Sequence, residues 1–303
     1  MAHFEGVPQT ATWGRLQTFL AVHDAGSIRA AAESLHVTPP AVSAALAALE
    51  DALGVSLFAR QGRHIVATDA GVTFAGYARK LLGLLAEAAG AVHDADRGRV
   101  RIGAVATAGE YVLPPLIASF AAAHPQVRLS LSVLPRDELF ALAADHAVDV
   151  VLAGRPPRNS DLVTRARRAN RLVLVGAPGL REQPTAATWL LTARGSGTRD
   201  TTLSLLARLD AAPPQLTLGT SGAAVAAARQ GLGVTLVHEG AVRDSLQAGE
   251  LQTYAVPGTP LDRPWHLCTS AEPTAATRLF IAHLCDPGKV GSGAFHTRLR
   301  PKG

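Results

Sequence analysis

Three short loops collect hydroxyls and glycines at predicted helix starts: Ala106-Thr107-Ala108-Gly109, Arg194-Gly195-Ser196-Gly197-Thr198-Arg199 and Gly219-Thr220-Ser221-Gly222. A helix start offers free backbone N–H groups and the positive end of the helix dipole. The chemistry this pattern fits is capture of an anion or carboxylate. Arg199 adds a guanidinium, and Arg136 either adds another or points to solvent. The candidate ligand contacts are Thr107, Ala108, Arg136, Ser196, Gly197, Thr198, Arg199 and Ser221. Any one loop can equally be a Ser or Thr capping its own helix. Three of them in one region favour a ligand.

Catalytic and metal chemistry finds less support. Ser196 lies in a Gly-Ser-Gly frame too short for a nucleophile elbow, and no Lys-Ser or Lys-Thr pair follows the glycines to make a P-loop. The histidines and the two cysteines, Cys268 and Cys285, fit no metal spacing. The cysteines read as reduced core thiols. No catalytic residue, metal or cofactor is expected.

The loops need a scaffold. Predicted strands at 100–105, 127–133, 148–152, 172–175, 189–191, 215–218, 234–237, 251–256 and 265–268 alternate with helices near 111–123, 137–145, 198–209, 223–230, 239–246 and 274–284. This alternation predicts a mostly parallel α/β sheet, with ligands outside the carboxyl ends of its strands.

The first 71 residues carry different information. Ser27 can cap a helix whose apolar positions are Ile28, Ala31, Ala32 and Leu35. His36 and Val37 make a turn, with Val37 apolar enough to plug the corner. Thr38 is a suitable N-cap, and Pro39 suits the first helical position. Val42, Leu46, Leu49 and Leu53 then recur at helical spacing, and Gly54 ends the helix. Thr38, Pro39, Pro40 and Ser43 lie near the helix start, off that stripe. Arg60, Gly62, Arg63 and His64 form a basic loop, which is either a solvated turn or a phosphate contact. Two helices and a basic wing form a winged helix-turn-helix, whose second helix enters a major groove of double-stranded DNA. Its candidate DNA contacts are Arg29, Thr38, Pro39, Pro40, Ser43, Arg60 and Arg63.

This stretch resembles the N-terminal domain of LysR-type transcriptional regulators. The matching positions are Ala31–Ala32, Leu35, Thr38 through Ser43, Leu49–Glu50, Leu53–Gly54, Leu57–Phe58–Ala59–Arg60, and Thr68 with Gly71. Ala44, Ala45 and Pro39 depart from the polar residues common there, so operator sequence does not carry over. The resemblance extends to about residue 285. It implies a two-subdomain effector domain with a periplasmic-binding-protein-like fold, its ligand held at the loops of Thr107 and Ser196 through Thr198. The Gly-Ser-Gly-Thr-Arg loop looks most like the branch controlling sulfur assimilation and carbon fixation, whose ligands are often small anions or phosphorylated metabolites.

Between these regions a segment without proline runs from Asp69 to about Asp94. Phe74, Ala78, Leu81, Leu85 and Ala88 recur at heptad-like spacing. They make either a dimerisation seam or the inner face of a helix packed on its own domain. The resemblance implies paired linker helices and a dimer of dimers. The chain carries a net charge of +5, yet residues 1–94 hold six Lys/Arg against eight Asp/Glu. DNA affinity per subunit should therefore be modest and lean on helix dipoles, a few Arg and oligomer avidity. No apolar span suits a membrane and no leader pattern stands at Met1, so a cytoplasmic location is expected.

The expected organisation is a winged helix-turn-helix at 1–68, a linker helix and hinge at 69–97, an effector-binding domain at 98–286, and a disordered tail at 287–303. The expected function is a DNA-binding transcriptional regulator that senses a small anion or a phosphorylated or carboxylated metabolite. Self-association and contact with RNA polymerase belong to that reading. The alternative is a solute-binding or enzymatic α/β domain with an N-terminal helical interaction module.

Overall fold

The computed structural model describes residues 12–61, 64–91, 95–180 and 182–297. They divide into two units, Met1–Ala89 with Asp145–Ala147, and Gly90–Ala144 with Val148–Gly303.

The first unit runs α1 (Trp13–Ala25), α2 (Ile28–Leu35), α3 (Pro39–Leu53), β1 (Phe58–Gln61), β2 (His64–Ala67) and α4 (Asp69–Ala91). Ser27 caps α2, its hydroxyl accepting from the Ala30 N–H at 3.3 Å. His36 makes the turn in the left-handed region at φ 55°, and Pro39 opens α3. Thr38 holds the N-cap position, although its side chain makes no capping bond. Val42, Leu46 and Leu49 are buried with Phe19, Val22, Ala31 and Ala32 in one core. Val37 does not plug the corner: it is 46% exposed. Gly54 ends α3 with φ 67°, where a side chain would be strained.

Glu50 then fixes the wing. Its Oε1 accepts from the N–H groups of Leu57 at 2.6 Å and Phe58 at 3.1 Å. Strands β1 and β2 pair antiparallel, Arg60 opposite Ile65. Arg60 thus lies in a strand rather than in the tip loop, and Arg63 lies outside the described residues. Thr68 donates to the Ser56 carbonyl and accepts from the Gly71 N–H, tying α4 to the wing. At Gly71 a Cβ would stand 2.1 Å from the Leu57 carbonyl oxygen, so only glycine fits.

The second unit runs β3 (Arg99–Ala104), α5 (Ala106–Tyr111), α6 (Leu113–Ala123), β4 (Arg128–Val133), α7 (Arg136–Ala144), β5 (Val150–Ala153), β6 (Val163–Arg168), β7 (Arg171–Gly176), β8 (Trp189–Thr192), α8 (Gly197–Arg208), β9 (Gln215–Gly219), α9 (Ser221–Arg229), β10 (Val234–His238), α10 (Arg243–Gln247), β11 (Gln252–Tyr254), β12 (Leu261–Asp262), β13 (Trp265–Thr269), α11 (Ala275–Leu284) and α12 (Pro287–Val290). Its strands form two sheets rather than one. Five lie in the order β4-β3-β5-β13-β6, and six form β11-β7-β10-β8-β9 with β12 beside β7.

The sheets are mixed, not mostly parallel. In the first, β3 is parallel to β4 and β5, but β13 runs antiparallel to β5 and β6. In the second, β8 is parallel to β9 and β10, while β7 is antiparallel to β10, β11 and β12. The chain crosses between sheets at Ala169–Asn170 and returns at Arg263–Pro264. These two crossings are bonded, Arg263 N–H donating to the Asn170 carbonyl at 2.8 Å.

The tail also differs from expectation. It begins with α12, buries Phe295 in the domain core, and pairs His296 with Arg167. A segment rich in glycine is ordered here because one aromatic side chain and a two-way backbone bridge anchor it. Residues 298–303 lie outside the described residues.

Candidate functional site

On the first unit, Thr38, Pro39, Pro40 and Ser43 are exposed at the start of α3. Their exposure follows from the buried stripe of Val42, Leu46 and Leu49, which turns the opposite face outward. The α3 start carries the unpaired N–H groups and positive dipole end that phosphates prefer. Arg29 is exposed on α2 and pairs with Glu33 at 3.1 Å, a surface contact that a phosphate can displace. Arg60 is exposed on the wing.

The α4 seam divides. Phe74 packs against Phe19 with ring centroids 5.1 Å apart, and Ala78 is fully buried in the unit's own core. Neither is free to meet another chain. Leu81 and Leu85 remain 55% and 53% exposed, and Ala88 is exposed one turn on. Tyr77 and Leu84 extend this apolar strip and were absent from the expected seam.

On the second unit, a cavity of about 210 Å³ is lined by residues of both sheets' connections. Thr107 at the start of α5, Ser196, Gly197 and Thr198 at the start of α8, and Ser221 at the start of α9 all line it. Arg136 lines it too. Its guanidinium donates to Asp137 and to the Arg155 carbonyl, and stacks 4.9 Å from the Phe140 ring centre.

Two expected contacts are not in the lining. Ala108 is fully buried in the hydrophobic core behind the cavity, because the third residue of α5 turns inward. Arg199 turns away and donates from Nη1 to the Thr192 carbonyl at 2.9 Å and to Thr217 Oγ1 at 3.0 Å, joining β8 to β9.

Several lining residues lie outside the three loops. Arg263 donates to the Gly197 carbonyl and to Thr201 Oγ1. Burial pulls its pKa down, opposed by Asp200 and assisted by Arg136. Asn170 accepts through Oδ1 from His238 Nδ1 at 2.9 Å, when that nitrogen carries the proton. Burial, with Arg168, pushes the His238 pKa down, which keeps the imidazole neutral. Thr192 Oγ1 and Trp265 Nε1 are buried without a hydrogen-bond partner among the described residues, and both residues line the cavity. Both sit at sheet ends, and no sequence motif marks them. Among the described residues no cluster of His, Cys, Asp or Glu could hold a metal ion, and no helix is long and apolar enough to cross a membrane.

An exposed helix start beside a β-hairpin wing, and a separate two-sheet domain around a ligand-sized cavity, define a DNA-binding regulator that responds to a small molecule. Residues 13–72 match the bacterial regulatory helix-turn-helix protein of the lysR family, and residues 93–286 match the LysR substrate binding domain. The regulator CfxR of Cupriavidus necator is 35% identical over 274 residues, covering 84% of each chain. The RuBisCO operon transcriptional regulator of Allochromatium vinosum is 33% identical, over 84% of this chain and 88% of the relative. The crystal structure of full-length CbnR complexed with its target DNA shares the fold, with a TM-score of 0.65 and 22% identity over 93% of this chain and 100% of that one. The chain belongs to the LysR family. It is a transcriptional regulator with a helix-turn-helix DNA-binding domain and an effector-binding domain, and not an enzyme.

Proposed function

We propose that the effector is a small anionic or phosphorylated or carboxylated metabolite, held in the cavity between the two sheets of the second unit. One observation carries this reading: Thr192 and Trp265, whose buried hydroxyl and indole N–H have no hydrogen-bond partner among the described residues, line a cavity that also receives the starts of α5, α8 and α9. A buried polar group without a partner is costly, and an oxyanion satisfies both donors at once. Arg136 and Arg263 supply positive charge at the wall. The kinship with a RuBisCO operon regulator supports the phosphorylated branch of this class.

Occupancy favours one arrangement of the two sheets, because a ligand shifts an equilibrium only through unequal affinity for its states. The α3 start reads an operator half-site through Thr38, Pro39, Pro40 and Ser43, with Arg29, Arg60 and Arg63 on phosphates. Leu81, Leu85 and Ala88, joined by Tyr77 and Leu84, pair α4 with α4 of a second copy. Two such dimers make a tetramer on DNA in the cytoplasm, where the ligand changes contact with RNA polymerase. The test is a melting screen of the full chain against sugar phosphates, small carboxylates, sulfate and nicotinamide cofactors. A concentration-dependent rise with anions supports the reading, and no rise with any of them rejects it.

A further inference from the structure

A second cavity, of about 420 Å³, lies in the effector-binding domain among Arg136, Arg155, Asp200, Asp262, Arg263 and His266. It shares only Arg136 and Arg263 with the effector cavity. His266, on β13, lines it and is almost wholly buried, and its Nδ1 has no hydrogen-bond partner among the described residues. A buried ring nitrogen left this way has lost its water without replacement.

The cavity wall carries both signs, Arg136, Arg155 and Arg263 with Asp200 and Asp262. The charges that act on His266 are Arg167 and Arg155, both positive. Asp200 instead acts on Arg263 and supports its charge. Arg155 is exposed, and among the described residues only its carbonyl takes part in a hydrogen bond, from Arg136. Its guanidinium is therefore available beside an imidazole that lacks a partner.

We infer that this corner is a second anion site, which takes a tetrahedral oxyanion on the guanidiniums of Arg155 and Arg263 and an N–H of His266. The oxyanion is a free phosphate-like ion or the phosphate group of a metabolite. A guanidinium presents paired N–H groups that match two oxygens of such an ion, and the imidazole adds a third direction. Arg263 also holds the Gly197 carbonyl at the start of α8. Given the effector reading above, occupancy of either cavity alters affinity at the other, and reciprocally.

Calorimetric titration of the full chain with inorganic phosphate at fixed ionic strength tests the site. Methyl phosphate, run beside it, separates an ester from a free ion, and saturable binding of either that weakens in Arg155→Gln supports the assignment, because Arg155 lines this cavity and not the effector cavity. Arg155→Gln changes an exposed side chain, so the fold is kept; binding is expected to weaken about tenfold or more. Thr192→Val alters the effector cavity alone and is expected to leave phosphate binding unchanged. A crystal soaked in tungstate is expected to show the ion between Arg155 and His266. Equal phosphate affinity in wild type and Arg155→Gln, or no binding at all, overturns the proposal. A tungstate ion confined to the effector cavity, or loss of phosphate binding in Thr192→Val alone, overturns it too and leaves the effector reading standing.

Discussion

At the scale of single residues, an unmet hydrogen bond is the sharpest functional signal in this chain. Thr192 carries a buried hydroxyl with no partner among the described residues. Thr192→Val replaces it with a methyl of the same shape. Such a change removes an unsatisfied group, so the empty protein should be as stable as wild type or more stable by up to about 1 kcal/mol. Urea unfolding checks the sign, and a large loss of stability would show that the hydroxyl already has a partner. Ser43→Asp tests the other site: a carboxylate at the exposed start of α3 should weaken operator affinity about tenfold or more, read by fluorescence anisotropy. Unchanged affinity would remove Ser43 from the DNA surface. Thr107, Ser196, Thr198 and Ser221 were legible because helix starts follow strands in a recognisable local pattern. Arg263, Asn170 and Trp265 were not, since they reach the cavity from distant parts of the chain through the two crossings. Arg199 misled for the opposite reason: it sits in the right loop, but its side chain bonds β8 to β9.

At the scale of elements, periodicity reveals which face of a helix is apolar, but not what covers it. The strip on α4 shows this. Phe74 and Ala78 share their spacing with Leu81 and Leu85, yet the first pair closes the core of their own unit and the second pair is exposed. Leu81→Asp with Leu85→Asp should therefore break self-association without unfolding the unit, halving the mass found by light scattering if α4 is the dimer seam. An unchanged mass would place the seam elsewhere. Helices α2 and α3 were readable because caps, prolines and an apolar stripe agree along the chain. Strand β6 was not, because Arg165, Arg167 and Arg168 hide its apolar positions Val163 and Ala166. The antiparallel entry of β13 was also hidden, because strand direction depends on connections that local pattern does not encode.

At the scale of the whole molecule, buried histidines link stability to pH. Burial lowers the pKa values of His238 and His283, and burial with Arg167 and Arg155 lowers that of His266 to about 4. The folded chain thus keeps these rings neutral where the unfolded chain, near 6.5, takes up protons. Stability is fully present above the unfolded value and is lost as pH falls from there through the folded values, the window from 6.5 to about 4 for His266. The urea midpoint should be lower at about pH 5 than at about pH 7.5 in buffers free of phosphate and sulfate, and the drop should shrink in His266→Gln. Equal midpoints would contradict this assignment of buried neutral histidines. The same domain that stores this dependence holds the effector cavity, so affinity measurements belong near neutral pH. The most direct test of the account is the affinity of the full chain for the best anion from the melting screen, in wild type and in Thr192→Val, by calorimetry. Saturable binding is expected in wild type and a loss of about tenfold in the variant, with both proteins folded. Equal affinity in the two would contradict it and move the effector away from the unpartnered hydroxyl.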